Sequence, residues 1–385
     1  MKTHDPSRRK VIPVYEPDLS GNEKSYVMDC LDSSWISSIG SYIDRFERSL
    51  ASVVGVPHAI SVSNGTVALH LALHCLDIGP GDEVIVPSFT YIASVNAIAQ
   101  TGARPVFADS QLHDWQLDPH AIEPLITSRT RAILPVHLYG AVCDMPAIMQ
   151  FARRHNLYVV EDCAECLGAS RGGIHPGAFG DIGTFSFFGN KTITTGEGGA
   201  VVARDNDLAR RLRRVKGQGQ SLTRRYWHEE LGFNYRMTNV AAAIGLAQLE
   251  RLEDILRRKR AIAQAYRRLL SKIPVDFQLP DSSVNSTNWL VSILLPRECD
   301  RARIMAEMME DGVETRPVFY GAHQMPMYAN LPRGDLKRAS EISARGMSLP
   351  SFPTLSPLEI DQVVASLCSA LARQGIASIG EKKTG

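Results

Sequence analysis

The stretch GDEVIVPSFTYIASVNAIAQTGARPVFAD, residues 81–109, holds a complete strand, helix, strand passage. DEVIVPS (82–88) is a short apolar run rich in β-branched residues. TYIASVNAIAQTG (90–102) places its apolar residues at helical spacing, with Gly102 just past the end. ARPVFAD (103–109) is extended again. Two apolar strands joined by a helix predict parallel neighbours in one sheet, with the helix on its face. The alternation continues on both sides. HAISVSNG (58–65) reads as a strand and TVALHLALHCLDIG (66–79) as a helix. PHAIEPLIT (119–127) reads as a helix, RAILPVHLYG (131–140) as a strand, MPAIMQFARRHN (145–156) as a helix and LYVVED (157–162) as a strand. DIGTFSFF (181–188) and GGAVVAR (198–204) add two strands with no room for a helix between them. The expected fold is α/β, with a mainly parallel mixed sheet covered on both faces.

Beyond this lies NVAAAIGLAQLERLEDILRRKRAIAQAYRRLLSKI (239–273), amphipathic throughout and interrupted only by Gly245. It predicts one long helix or two in tandem leading out of the large domain. PVDFQLPDSSVNSTN (274–288) is rich in turn residues. WLVSILLP (289–296), a helical RARIMAEMMEDG (301–312), VETRPVFY (313–320) and a helix from about residue 357 then suggest a smaller α+β domain. The expected division is 1–250, with an N-terminal arm, and 251–385.

The 385 residues carry a formal net charge of +1, with 44% hydrophobic and 22% charged residues. Near-neutrality offers no electrostatic case for nucleic acid, and RRLRRVK (210–216) reads as the solvated face of a helix. The polar start MKTHDPSRRK predicts no secretory leader, and no apolar run is long enough for a membrane span. The expected location is the cytoplasm. The seven cysteines are scattered; Cys163 and Cys166 form one C-x-x-C, with no second pair to make a metal site. The tail RQGIASIGEKKTG (373–385) is expected to fray.

SFFGNKTITTGEGGAVV (186–202) resembles a phosphate-binding loop and fails as one. Asn190 separates Gly189 from Lys191, and the β-branched, glycine-rich sequence that follows is a poor helix former. An exposed loop lysine is the plain alternative. Against it stand Phe185, Phe187, Phe188 and four nearby glycines. A lysine held among apolar groups becomes a nucleophile, and the chemistry that uses one most often is a Schiff base with pyridoxal phosphate. That cofactor needs a carboxylate at its ring nitrogen. LYVVED ends a strand with Glu161 and Asp162, of which only one can face a given site. It also needs a phosphate site, and SVSNGT (61–66) runs from a strand into a helix N-terminus.

Taken together, SNGTVALHLAL, GDEVIVPSFTYIAS, HLYG, EDCAECLGA, GDIGTFSFFGNKTITTGEGGAVV and GFNYRMTNVAAAIGLAQLERL resemble the DegT/DnrJ/EryC1/StrS sugar aminotransferases, from about residue 12 onward. The resemblance implies the aspartate aminotransferase-like fold (fold type I), with pyridoxal phosphate between two subunits of a homodimer and its pyridoxamine form as intermediate. It implies that Lys191 forms the Schiff base and shuttles protons, that Asp162 pairs with the ring nitrogen, and that Glu165 lies near the phenolic oxygen. Phe89 would stack on the ring. Gly65, Thr66 and Ser186 would hold the phosphate, joined by Asn234 from the partner subunit. SSWISSIGSYIDRFE (33–47), RRYWHEELGFNYRMTN (224–239) and ETRPVFYGAHQMPMY (314–328) narrow the resemblance to members that aminate C4 of GDP-4-keto-6-deoxy-mannose with L-glutamate, in O-antigen and lipopolysaccharide biosynthesis. Trp35, Ser38, Tyr320 and His323 would touch the nucleotide sugar; the alternative is that Trp35 and His323 pack on the core surface. Relatives have Ala where this chain has Cys163 and Cys166, which could expose a thiol near the cofactor. Dehydratase members replace the lysine, so Lys191 favours transamination. A UDP- or dTDP-linked keto sugar and a cofactor-binding regulator without turnover are the other readings.

Overall fold

The computed structural model describes residues 11–376. The N-terminal decapeptide and most of the tail, for which the absence of a leader and fraying are expected, lie outside them. The chain begins with α1 (Glu23–Asp32) and the amphipathic α2 (Ser41–Val54). It continues through β1 (His58–Val62), α3 (Gly65–Cys75), β2 (Glu83–Pro87), α4 (Ile92–Gln100), β3 (Arg104–Ala108), β4 (Thr130–Ile133), α5 (Met145–His155) and β5 (Tyr158–Asp162). After the short β6 (Ser170–Arg171) come β7 (Ile182–Ser186), β8 (Gly199–Ala203) and α6 (Asn206–Val215).

Seven strands form one sheet in the order β1-β8-β7-β5-β4-β2-β3. The pairs from β7 to β3 are parallel, and β8 runs antiparallel to both of its neighbours. Alternation divides the strands between two cores. Val84, Val86, Val160 and Val201 pack on one face under α3, α4 and α6. Ile85, Val159, Phe185 and Val202 pack on the other with α2 and α7 (Asn239–Leu249). Both faces are therefore dry, as near-continuous apolar strands require.

Two sequence expectations fail locally. Residues 119–127 form two 3-10 turns, Pro119–Ala121 and Glu123–Leu125, because Pro124 denies an amide to any continuing helix. The strand expected over 131–140 ends at Ile133, before Pro135, and Leu138–Gly140 is another 3-10 turn. The amphipathic stretch becomes two helices, α7 (Asn239–Leu249) and α8 (Leu252–Leu269). The break falls at Glu250 and Arg251, whereas Gly245 stays helical and packs against Phe46.

α8 leads into a third apolar cluster built on a four-stranded antiparallel sheet, β12-β13-β11-β9. Its strands are β9 (Asp276–Phe277), β11 (Ser292–Leu294), β12 (Arg316–Pro317) and β13 (Gly346–Ser348). β10 (Val284–Asn285) pairs instead with β6. α9 (Arg301–Glu310), α10 (Lys337–Arg345) and α11 (Pro357–Arg373) complete the chain, and Ser356 with Glu359 caps α11 reciprocally. Among the described residues no helix is long and apolar enough to cross a membrane.

Candidate active site

The carboxyl ends of β5 and β7 converge with the N-terminus of α3 on a cavity of about 980 Å³. Two glycines permit the approach. A Cβ on Gly65 would stand 2.7 Å from the Ser186 Cβ, and one on Gly199 would stand 2.5 Å from the Asn64 carbonyl carbon. The start of α3 is thereby pressed against the ends of β7 and β8. Asn64 caps the helix by accepting from the Val67 N–H at 3.0 Å. The first-turn amides of Gly65 and Thr66 have no intrahelical acceptor and, with the Ser186 hydroxyl, form an anion cradle on the cavity wall.

At the other end lies Lys191, in the loop between β7 and β8. Its Nζ is 3.6 Å from Glu165 Oε1 and 4.2 Å from the centre of the Trp289 ring. Phe187 faces the core on the other side and Phe188 is half exposed, so a carboxylate and an indole face, rather than the three phenylalanines, surround the ammonium. The Glu165 carboxyl accepts from the Tyr139 N–H at 2.8 Å. Burial pushes it up to about 7, against the opposing pull of the Lys191 ammonium.

The two acids ending β5 part company. Glu161 turns to the face opposite the cavity, where it accepts the Phe179 and Gly180 N–H groups and bonds to His137. Asp162 faces the cavity, accepting from the Ser94 hydroxyl at 2.7 Å and from the Ala164 N–H at 3.1 Å.

Gly65, Thr66, Asp162, Glu165, Ser186 and Lys191 thus line one cavity. Phe89 does not. It is fully buried, its backbone bridged to Gly321 and its ring stacked on Tyr139 at 6.2 Å. Tyr91, two residues on, stands in the wall instead. Asn234 is exposed and turned away from the cavity, which its neighbours Phe233 and Tyr235 line. Trp35 and Tyr320 are exposed outside the wall, and Ser38 lies in the same loop as Trp35. His323 is hydrogen-bonded to the Ser88 hydroxyl at 2.6 Å. Cys163 and Cys166 are buried thiols and present no sulfur at the site surface. Sequence reasoning missed Ser94, Tyr139, Trp289, Arg316 and Phe319. All but Trp289 lie within quoted motifs, and Trp289 opens the apolar run 289–296, but nothing local to any of them marks it as a cavity residue.

A cavity with a helix-terminal anion cradle at one end and a lysine between a carboxylate and an indole face at the other is the arrangement of an enzyme that holds a phosphorylated carbonyl compound. The chain belongs to the DegT/DnrJ/EryC1/StrS aminotransferase family, whose model matches residues 17–368. It is 51% identical to a GDP-perosamine synthase of Escherichia coli O157:H7, over 93% of this chain and 98% of that one. To a GDP-perosamine synthase of Caulobacter vibrioides it is 47% identical, over 94% and 98%. Among solved structures, the PLP form of a putative sugar aminotransferase, Spr1654 of Streptococcus pneumoniae, superposes with a TM-score of 0.88 at 28% identity, covering 94% of this chain and 99% of that one.

Proposed function

We propose that the chain transfers an amino group from L-glutamate to C4 of GDP-4-keto-6-deoxy-D-mannose, giving GDP-perosamine, with pyridoxal phosphate as cofactor. The observation that carries this reading is near-full-length similarity to GDP-perosamine synthases, joined to the donor set of the cavity. That donor set fits the cofactor group by group. The Gly65 and Thr66 amides and the Ser186 hydroxyl suit a phosphate, Lys191 offers a primary amine to an aldehyde, and Asp162 offers an acceptor to a ring N–H. When bound, the cofactor supplies a ring that takes up the electron pair left on carbon by proton removal.

The protein's own contribution is positional and electrostatic. Asp162, oriented by Ser94 and Ala164, holds a proton on the ring nitrogen. Lys191 Nζ carries a proton to and from the reacting carbon. Glu165, close to neutrality in pKa, exchanges a proton readily with a group at Nζ. Tyr91, Tyr139 and Phe319 wall the cavity.

We further propose a homodimer in which Asn234 of the partner subunit reaches the phosphate. Its orientation away from its own chain's cavity supports this, as do the exposed apolar side chains Met28, Leu31, Trp35, Ile36 and Ile39 around the end of α1.

The deciding experiment is a half-reaction. The purified protein is expected to show a visible cofactor band that disappears on adding glutamate. GDP-, UDP- and dTDP-linked 4-keto-6-deoxy sugars are then supplied and the products separated by HPLC; only the GDP-linked sugar is expected to be aminated. Lys191→Ala is expected to abolish both the spectral change and turnover. Turnover surviving that substitution overturns the mechanism, and amination of only a UDP- or dTDP-linked sugar overturns the substrate.

A further inference from the structure

Lys259, near the middle of α8, is 1% exposed, yet among the described residues no carboxylate stands within ion-pair distance of it. A lysine buried without a counter-ion is costly, and a methionine would fill the same space without that cost. Its Nζ donates to two backbone carbonyls, Trp289 O and Ser351 O, each at 2.9 Å. It also lies 5.1 Å from the centre of the Tyr15 ring. Burial pulls the ammonium down to about 7. Two N–H donors remain in the neutral amine, so both carbonyls stay satisfied in either protonation state.

The groups Lys259 touches are those that hold the Lys191 loop. The Trp289 indole N–H donates to Asn190 O at 2.6 Å, and its ring lies against the Lys191 ammonium. The Tyr15 hydroxyl donates to Lys191 O at 2.6 Å. Burial, then the charge of Asp18, raises the Tyr15 phenol, which therefore remains a donor. Two consecutive carbonyls of the active-site loop are thus held by two aromatic side chains. Ser351 closes the frame, its N–H donating to Val14 O at 3.0 Å and its hydroxyl accepting from the Val291 N–H at 2.8 Å.

We propose that Lys259 is a positioning residue for the transamination, fixing Trp289 and Tyr15 so that they hold the Asn190–Lys191 backbone and aim the Lys191 amine into the cavity. The inference rests on Lys191 being the residue that meets the cofactor. Mobility of the Lys191 segment is read without turnover, so failure of that assignment is distinguishable from failure of this one.

The full-length holoenzyme is compared with Lys259→Met by hydrogen–deuterium exchange and by steady-state kinetics with glutamate, and Lys259→Arg serves as the rescue. Exchange in the peptide covering residues 188–195 is expected to quicken about tenfold in Lys259→Met. kcat is expected to fall between about tenfold and about a hundredfold, with KM for glutamate within about threefold of wild type. Lys259→Arg, which keeps a cation and its donors, is expected to recover most of both. Exchange and kcat both within about twofold of wild type overturn the proposal. If Lys259→Met does not fold, Trp289→Phe and Lys259→Arg carry the test. Removing the indole donor must then quicken exchange at 188–195, with Lys259→Arg staying close to wild type; unchanged exchange in Trp289→Phe overturns the proposal.

Discussion

Glu161 and Asp162 carry the same charge at adjacent positions, and the pleat of β5 turns them to opposite faces of the sheet. Glu161 spends its oxygens on two backbone amides and His137, which ties the loop after β6 to the sheet. Asp162 is left to the cavity. Glu165, one turn further, is buried, and that burial raises its carboxyl from 4.5 to about 7. Lys191, the Tyr139 N–H and Asp162 face it. The folded state therefore holds this proton more tightly than the unfolded chain does. The stabilisation is complete below the unfolded value and is lost as pH rises through about 7. Glu165→Gln cannot ionise. In cofactor-free protein, its stability relative to wild type is expected to grow between about pH 5 and about pH 8, by up to about 3 kcal/mol. Thermal melts across that range check this, and a pH-independent difference refutes it.

At the scale of elements, the phosphate cradle depends on how closely α3 can approach β7. Gly65→Ala would drive a methyl group into the Ser186 Cβ, at 2.7 Å. Either the helix start or Ser186 must move, at a cost of about 1–3 kcal/mol. Titration of the variant with pyridoxal phosphate is expected to show affinity about tenfold or more below wild type; unchanged affinity would remove these groups from the phosphate site. Elements also show where local reading stops. Pro124 breaks the helix expected over 119–127 despite the apolar spacing around it. The break between α7 and α8 has no glycine or proline to mark it. α7 packs with α2 on the sheet, whereas α8 carries Ile262, Ala263 and Tyr266 into the third cluster, and the turn follows from those two destinations.

For the whole molecule, the dimer reading makes a sharp demand on Asn234. If it serves the partner's cavity, Lys191→Ala and Asn234→Ala chains should complement each other. One site of each mixed dimer would join an intact Lys191 to an intact Asn234 of the partner subunit. Random mixing is expected to recover about a quarter of wild-type activity, because about half of the dimers are mixed and each holds one intact site of two. Recovery no greater than the sum of the separate variants would place Asn234 in its own chain's site or in none. Sedimentation of the unmixed protein checks that the dimer exists.

The sequence by itself determined the α/β alternation, the two covered faces of the sheet, and the ends of strands and helices where Gly65, Thr66, Asp162, Glu165, Ser186 and Lys191 fall. Periodicity and turn chemistry are local, and these residues lie within or beside the elements that such signals define. Only the tertiary structure decided that Tyr91 rather than Phe89 stands in the cavity wall, and that Trp289, Phe319 and Lys259 belong to the same neighbourhood. Those contacts join residues from 30 to more than 200 positions apart, and the packing of separate elements, which leaves no periodic trace in the chain, brings them together.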